Sequence, residues 1–321
     1  MIEARGLTKH YGETTAVSDL SFDVRPGQVT GFLGPNGSGK STTMRLIMGL
    51  DRPDAGQVTL NGRTYRDLPW PLREVGALLE AKAIHPGRSA FDHLWALAQT
   101  NDIARSRVND VLDQVGLSSV AGRRAGKFSL GMGQRLGIAG ALLGDPGILL
   151  FDEPINGLDP EGIRWVRHLL RGLAAEGRTV FVSSHLMSEM ALTADRLVVI
   201  GRGRLIAEMP VAEFIACNSR QFVRVRIAQD SEATALADAL AGVGAQVVED
   251  DGAMCVTGLC AAEIGELAAS VGATLHELSP QMASLEDAFM ELTGDSVEFR
   301  VHDAPDDDVR ESDIELAPVK R

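Results

Sequence analysis

The sequence predicts an α/β chain built on parallel strands, followed by a second, smaller α+β unit. Three observations point there. A glycine-rich turn lies between a buried strand and a helix, a second apolar strand ends in two carboxylates, and a later stretch has β-α-β-β-α-β order with an Asp-Gly turn in its middle.

Val29 to Leu33 reads as a buried strand, and the turn after it leads into a helix from Lys40 to about Met48. Strand, turn and helix together frame a phosphate site. Further strands fit Gln57 to Leu60, Val75 to Leu79, Ile148 to Phe151, Thr179 to Val182 and Arg196 to Ile200. The last three are separated by helical patterns, the alternation of a parallel sheet. Between about Ala81 and Asp145 the pattern is helical (Ala90 to Gln99, Arg105 to Val115, Gly133 to Leu143), which reads as an inserted helical subdomain carrying interaction surface. After Pro210 and a short helix, residues 218–294 read as a ferredoxin-like unit. Its strands are Gln221 to Ile227, Ala245 to Glu249, Ala253 to Thr257 and Thr274 to Leu278. Its helices are Glu232 to Leu240, Ala261 to Ser270 and the closing Leu285 to Leu292, and Asp251-Gly252 turns the central hairpin. Residues 295–321 carry the acidic run Asp306, Asp307 and Asp308 with few apolar residues, so a disordered tail is expected.

With 321 residues, 45% of them hydrophobic and 23% charged, the composition is that of a globular chain able to bury its own core. A formal net charge of −13 argues against a general nucleic-acid binder, which needs a basic face. The charge is uneven. Residues 1–217 carry 24 Lys and Arg against 23 Asp and Glu, residues 218–294 carry 3 against 12, and residues 295–321 carry 4 against 9. The acidity therefore resides in the small unit and tail, and removal of residues after 217 is expected to spare binding by the first unit. Cys217, Cys255 and Cys260 form no CxxC pair and read as incidental thiols of a reducing compartment. The start, MIEARGLTKHYGETT, lacks the apolar core of a signal peptide, and the apolar stretch Gly137 to Gly144 is too short to span a bilayer. A cytoplasmic chain that reaches a membrane only through a partner is expected.

The run Gly34-Pro35-Asn36-Gly37-Ser38-Gly39-Lys40-Ser41-Thr42 satisfies G-x-x-x-x-G-K-[ST] in the strand-to-helix setting that motif demands. Gly37 and Gly39 let backbone N–H groups turn inward around phosphates. Lys40 would reach the β- and γ-phosphates of ATP, and the Ser41 hydroxyl would ligate Mg²⁺. Asp152 and Glu153 close the apolar strand Ile148 to Phe151. Asp152 is suited to hold the metal, and Glu153 to polarise an attacking water.

With these residues in place, the first 214 or so positions resemble the ATPase subunits of ABC transporters. Phe128-Ser129-Leu130-Gly131-Met132-Gly133-Gln134-Arg135 is similar to the family's signature region. Asn156-Gly157-Leu158-Asp159 is similar to its D-loop, Ser183-Ser184-His185 ends a strand as its switch histidine does, and Tyr11 stands where an aromatic residue stacks on adenine. The resemblance implies a P-loop NTPase (ABC ATPase) core. It implies ATP sandwiched between two subunits, with Ser129 and Gly131 of one meeting the γ-phosphate held by the other, Asp159 at that interface, and His185 sensing the phosphate. It also implies a separately encoded multi-span membrane permease as partner, docked on the segment from Ala81 to Trp95. Plainer roles exist for single residues: Tyr11 as an ordinary tyrosine, His185 as a structural histidine, Asp159 as the N-cap before Pro160.

Two departures mark a branch. The signature reads Ser-Leu-Gly-Met where Ser-Gly-Gly-Gln is usual, and Glu80 follows Val75-Gly76-Ala77-Leu78-Leu79 where the family has glutamine. An ionised glutamate only accepts hydrogen bonds, so Glu80 could meet the metal or its water but could not donate to the nucleotide. Both departures, and the ending Ser284 to Gly294, resemble the ATPases that drive antibiotic, bacteriocin and drug export. The competing readings are a soluble ABC ATPase acting on a non-transport partner, and a degenerate regulatory nucleotide binder.

Overall fold

The computed structural model describes residues 1–80, 83–217, 222–228, 230–250, 252–281 and 285–293. Gln221, Asp251, Ser284 and the acidic tail expected over 295–321 lie outside the described residues, as do Ala81 and Lys82.

Strand β1 (Ile2–Tyr11) turns into β2 (Thr14–Val24) through Gly12 and Glu13. Gly12 takes φ +60°, a left-handed position suited to a glycine in a two-residue hairpin turn. β3 (Gln28–Leu33) leads through the glycine-rich loop into α1 (Lys40–Ile47), followed by β4 (Ala55–Leu60), the single turn α2 (Pro71–Glu74) and β5 (Val75–Leu78). The helical subdomain holds α3 (Ala90–Gln99), α4 (Arg105–Gln114) and α5 (Leu130–Leu142). The chain then alternates β6 (Ile148–Asp152), α6 (Pro160–Ala175), β7 (Thr179–Ser183), α7 (Met187–Thr193) and β8 (Arg196–Gly201), and closes with β9 (Arg204–Pro210) and α8 (Val211–Cys217).

The main sheet has six strands in the order β5-β6-β7-β3-β8-β9. The first five are parallel, and β9 pairs with β8 antiparallel. The parallel strands are mostly apolar and buried along their length because both faces are covered. Phe32, Leu150, Phe181 and Val198 point to one face and join Ile2, Leu20 and Phe22 of a three-stranded antiparallel sheet, β2-β1-β4. There the Phe22, Phe32 and Phe181 rings pack with centroids 4.9–5.8 Å apart. Val29, Leu149, Val180 and Leu197 point to the other face, into a core shared with the helices.

Of the antiparallel sheet the sequence reading names only β4, as Gln57 to Leu60; β1, β2 and the antiparallel β9 are absent from it, and the core is expected to hold parallel strands. Their alternation is broken by register shifts in β1 between Ala4 and Leu7 and again beyond it, so no clean period of two runs through that strand. Helix α5 also begins earlier than the expected Gly133. Glycines at 131 and 133 are poor helix formers, but the Ser129 hydroxyl accepts the Met132 N–H at 3.2 Å and caps the helix ahead of them.

Beyond α8 come β10 (Phe222–Ile227), α9 (Asp230–Gly242), β11 (Gln246–Asp250), β12 (Ala253–Thr257), α10 (Ala261–Val271), β13 (Leu275–Gln281) and α11 (Leu285–Thr293). The four strands form an antiparallel sheet in the order β11-β12-β10-β13, the ferredoxin-like arrangement. Val223, Val225, Leu236, Leu240, Val256 and Ile264 make its core. Helix α11 does not join that core. Leu285, Ala288 and Phe289 are buried in the core of the preceding unit, and α11 packs on α7 and α8. Cys255 is partly buried and Cys260 exposed, both as free thiols.

Candidate active site

Parallel strands in register bring distant residues to one edge. Asp152 pairs with Ser183, and Ser183 with Phe32, so the carboxyl ends of β3, β6 and β7 lie side by side. In open α/β sheets that edge is where ligands bind.

The loop after β3 is built for close approach. Gly37 and Gly39 take φ +80° and +101°. A Cβ on Gly34 would overlap the Ser38 hydroxyl and the Ile200 carbonyl, so side chains are excluded from the turn. Lys40 opens α1 with 8% exposure, and its ammonium donates to the carbonyls of Gly34 (2.6 Å) and Pro35 (3.1 Å). Burial lowers its pKa, while Glu153 and Asp152 act in the opposite direction. The buried Ser38 hydroxyl has no hydrogen-bond partner among the described residues.

The two acids are fixed by neighbouring strands. Ser41 Oγ donates to Asp152 Oδ2 at 2.8 Å, and the buried Ser183 hydroxyl donates to Asp152 Oδ1. Glu153 sits at φ +50°, a conformation that costs an ordinary residue about 1–2 kcal/mol. It is held there on several sides. Its N–H donates to Ser183 Oγ (3.0 Å), its carbonyl accepts from Gln134 Nε2 (3.1 Å) and the Asn156 N–H (3.2 Å), and its Oε2 lies 2.8 Å from His185 Nδ1.

These groups line a cleft of about 490 Å³ whose walls include Asn36, Gly37, Gly39, Lys40, Ser41 and Thr42 from the loop, Glu80, Asp152 and Glu153, and Leu130 and Gln134 of α5. His185 joins through Glu153. Other expected site residues are not part of this lining. Ser129 caps α5. Gly131 lies in the first turn of that helix, where an added Cβ would come 3.3 Å from Leu158. Asp159 caps α6, its Oδ1 accepting the Gly162 N–H at 2.9 Å ahead of Pro160, the plainer of its two expected roles. Tyr11 ends β1, with its hydroxyl on Asp51 Oδ2 (2.6 Å) and Lys9 Nζ 5.4 Å from its ring centre. Arg45 also binds Asp51 and, with Tyr11, holds that carboxyl at about 2.

Ser183 and Gln134, which hold Glu153 from two sides, lie within the signature and histidine motifs without a role that the sequence assigns. Serine and glutamine carry no distinctive signal, and their partners lie 30 and 19 residues away in sequence.

Comparison with known proteins agrees with this architecture. The ABC transporter family matches residues 17–156, and a domain of unknown function matches residues 221–286. The chain is 34% identical over 299 residues to the bacitracin transport ATP-binding protein BcrA of Bacillus licheniformis, spanning 92% of this chain and 97% of that one. It is 36% identical to the lantibiotic transport ATP-binding protein SrtF of Streptococcus pyogenes over 65% of this chain and 90% of that one. A dimeric ATP-binding cassette solved in a post-hydrolysis state with ADP and Pi aligns with a TM-score of 0.60 at 26% identity, covering 66% of this chain and 99% of that one. A likeness that runs nearly end to end through a transport ATP-binding protein, over a cleft that joins P-loop, paired acids and histidine, settles the kinship: the chain belongs to the ABC transporter family as an ATP-binding, ATP-hydrolysing subunit.

Proposed function

We propose that this chain is the cytoplasmic ATPase subunit of an exporter, peripheral to the inner face of the cell membrane. It closes as a homodimer, or with a related subunit, around two Mg-ATP and drives a separately encoded multi-span permease. The cargo is an antibiotic, drug or peptide, the class for which the bacitracin and lantibiotic relatives are named. Residues 1–217 form the ATPase unit, with its helical subdomain at about 81–145. Residues 218–294 form the accessory unit and 295–321 the tail.

The observation that carries the reading is Glu153, whose carboxylate is held by His185 on the cleft that Lys40 lines. In this site the N–H groups of Asn36 to Thr42 cradle the phosphates and Lys40 balances their charge. Glu153 takes the proton of the attacking water, and His185 orients that carboxylate. The Ser129 hydroxyl and the N-terminal turn of α5 at Gly131 face the nucleotide of the second subunit, with Asp159 beside that interface. Tyr11 stacks on the base.

The donor set also fits Mg²⁺. Ser41 and Asp152 converge within 2.8 Å and Glu80 lines the same cleft, so the available ligands are hard oxygens. Three carboxylates face one ammonium there, an excess of negative charge that a polyphosphate would increase and a divalent cation offsets. A metal held by Ser41 and Asp152 would neutralise phosphate charge there.

The permease docks on the segment from Ala81 to Trp95, whose Ala83, Ile84 and His93 line a groove of about 570 Å³ together with Leu72, Leu78, Leu97 and Leu136. Glu80 lines both cavities and so touches nucleotide site and docking groove alike.

The test is Glu153→Gln. Turnover should fall by about 10²–10⁴-fold, the usual contribution of a general base. ATP should trap a dimer visible by size-exclusion chromatography. A variant that keeps its turnover and forms no ATP-dependent dimer would sink the sandwich mechanism.

A further inference from the structure

Helix α5 carries the signature residues at its N-terminus, and in the sandwich reading those residues serve the nucleotide of the second subunit. The structure shows what the same helix does within its own chain. Leu130 and Gln134 are four residues apart, one turn along a single helix face, and both line the cleft. Leu130 lies against Gly157, where an added Cβ would collide with the Leu130 side chain. Gln134 is 2% exposed, and its amide donates to the Glu153 carbonyl at 3.1 Å. That carbonyl also accepts the Asn156 N–H, which closes the turn leading from the catalytic acid into the D-loop.

Farther along, α5 has little freedom to slide. Gly137 admits Leu78 of β5 so closely that a Cβ would stand 2.5 Å from its Cδ1. Gly76 of β5 lies so close to the Ala141 carbonyl that no Cβ fits between them. The N-terminal turn of α5 is therefore joined to Glu153 through one buried amide, while the body of the helix is packed on the sheet.

We propose that Gln134 is a positioning residue for hydrolysis. Its amide fixes the left-handed backbone of Glu153, so the placement of the signature end of α5 sets the aim of the carboxylate in the same chain. The inference rests on Glu153 acting as the base. It makes the helix that meets one subunit's nucleotide a regulator of the base that activates water at the other.

Gln134→Met tests this in the full-length protein. Methionine keeps the length and volume of the side chain and removes the donor. The Glu153 carbonyl retains Asn156, so the thermal midpoint should stay within a few degrees. The expected result is a kcat about tenfold lower, with affinity for a fluorescent ATP analogue within twofold of wild type, because no P-loop donor has changed. Gln134→Glu, which presents an acceptor to the carbonyl, should lower kcat further and serves if the methionine variant does not fold. Wild-type kcat in a folded variant would overturn the inference. So would a loss of kcat matched by an equal loss of nucleotide affinity, which marks general disruption. Glu153→Gln separates the two levels: if it keeps full turnover, the base assignment fails and this inference with it. If it is inactive while both Gln134 variants turn over normally, only the role of Gln134 is refuted.

Discussion

Ser183→Ala probes the strand end that holds both acids. Ser183 is fully buried, donates to Asp152 and accepts from the Glu153 N–H at 3.0 Å. Its removal deletes a hydrogen bond to a charged group, worth about 1.5–3 kcal/mol, and leaves a buried N–H unpaired at about 1–3 kcal/mol. These terms overlap, and about 3 kcal/mol is the expected loss of stability. The functional effect follows from the backbone. Glu153 at φ +50° loses one of its restraints and can relax toward ordinary backbone angles, moving its carboxylate. A displacement of about 1 Å at a reacting group costs on the order of 10²-fold. We therefore expect kcat to fall about 10- to 100-fold in a steady-state ATPase assay. Nucleotide affinity should change less than about threefold, because Lys40 and the loop amides are untouched. Thermal unfolding reports the stability term separately. An alanine variant with wild-type kcat would show that Glu153 does not depend on Ser183 for its aim.

Two further outcomes follow from contacts outside the cleft. Asp51 titrates at about 2 against an ordinary 3.8, held down by Arg45 first and Tyr11 second. Because the folded value lies below the unfolded one, its stabilisation is complete above about pH 4 and is lost as pH falls through about 2. NMR titration of the side chain should show this, with Tyr11→Phe raising the value toward 3.8, and an Asp51 titrating at 3.8 in the folded wild type would refute it. Phe289→Ala removes a ring that is 6% exposed in the core around Phe214, and should cost about 3–5 kcal/mol in chemical denaturation. A negligible change would mean that α11 is not part of that core.

What the sequence discloses is what is local. The turn from Gly34 to Thr42 is legible because phosphate binding fixes residue types at fixed spacing, and the apolar run ending at Asp152 and Glu153 is legible because a doubly covered strand has few polar positions. The Asp159 cap is readable from the Pro160 beside it. The support of the acids is not local. Ser183 reaches them across a sheet register and Gln134 from the far end of a helix, and both depend on packing that no short pattern encodes. Strands β1, β2 and β9 escape for a related reason, because bulges and an edge position blur the period that identifies a strand. Tyr11 shows the converse. Its place in the sequence suggests base stacking, whereas the structure shows its hydroxyl engaged by Asp51.

The charge pattern suggested a near-neutral ATPase unit and a detachable acidic one, and α11 complicates that division. Helix α7 begins two residues after His185, and elements before and after it in the chain bear on it. From one side α6, which continues the D-loop, reaches it through Arg167 to Glu189 at 2.5 Å. From the other, Leu285, Ala288 and Phe289 of α11 share a core with Met187, Met190 and Phe214. Helix α11 is thus built into the core beside α7, the helix that follows His185, although the sheet before it has its own core. Removing everything after 217 would do more than shed acidity, because it would expose the apolar flank of α7 and α8 that α11 covers. Point substitution at Phe289 is accordingly the cleaner measure of how the small unit and the ATPase core depend on one another.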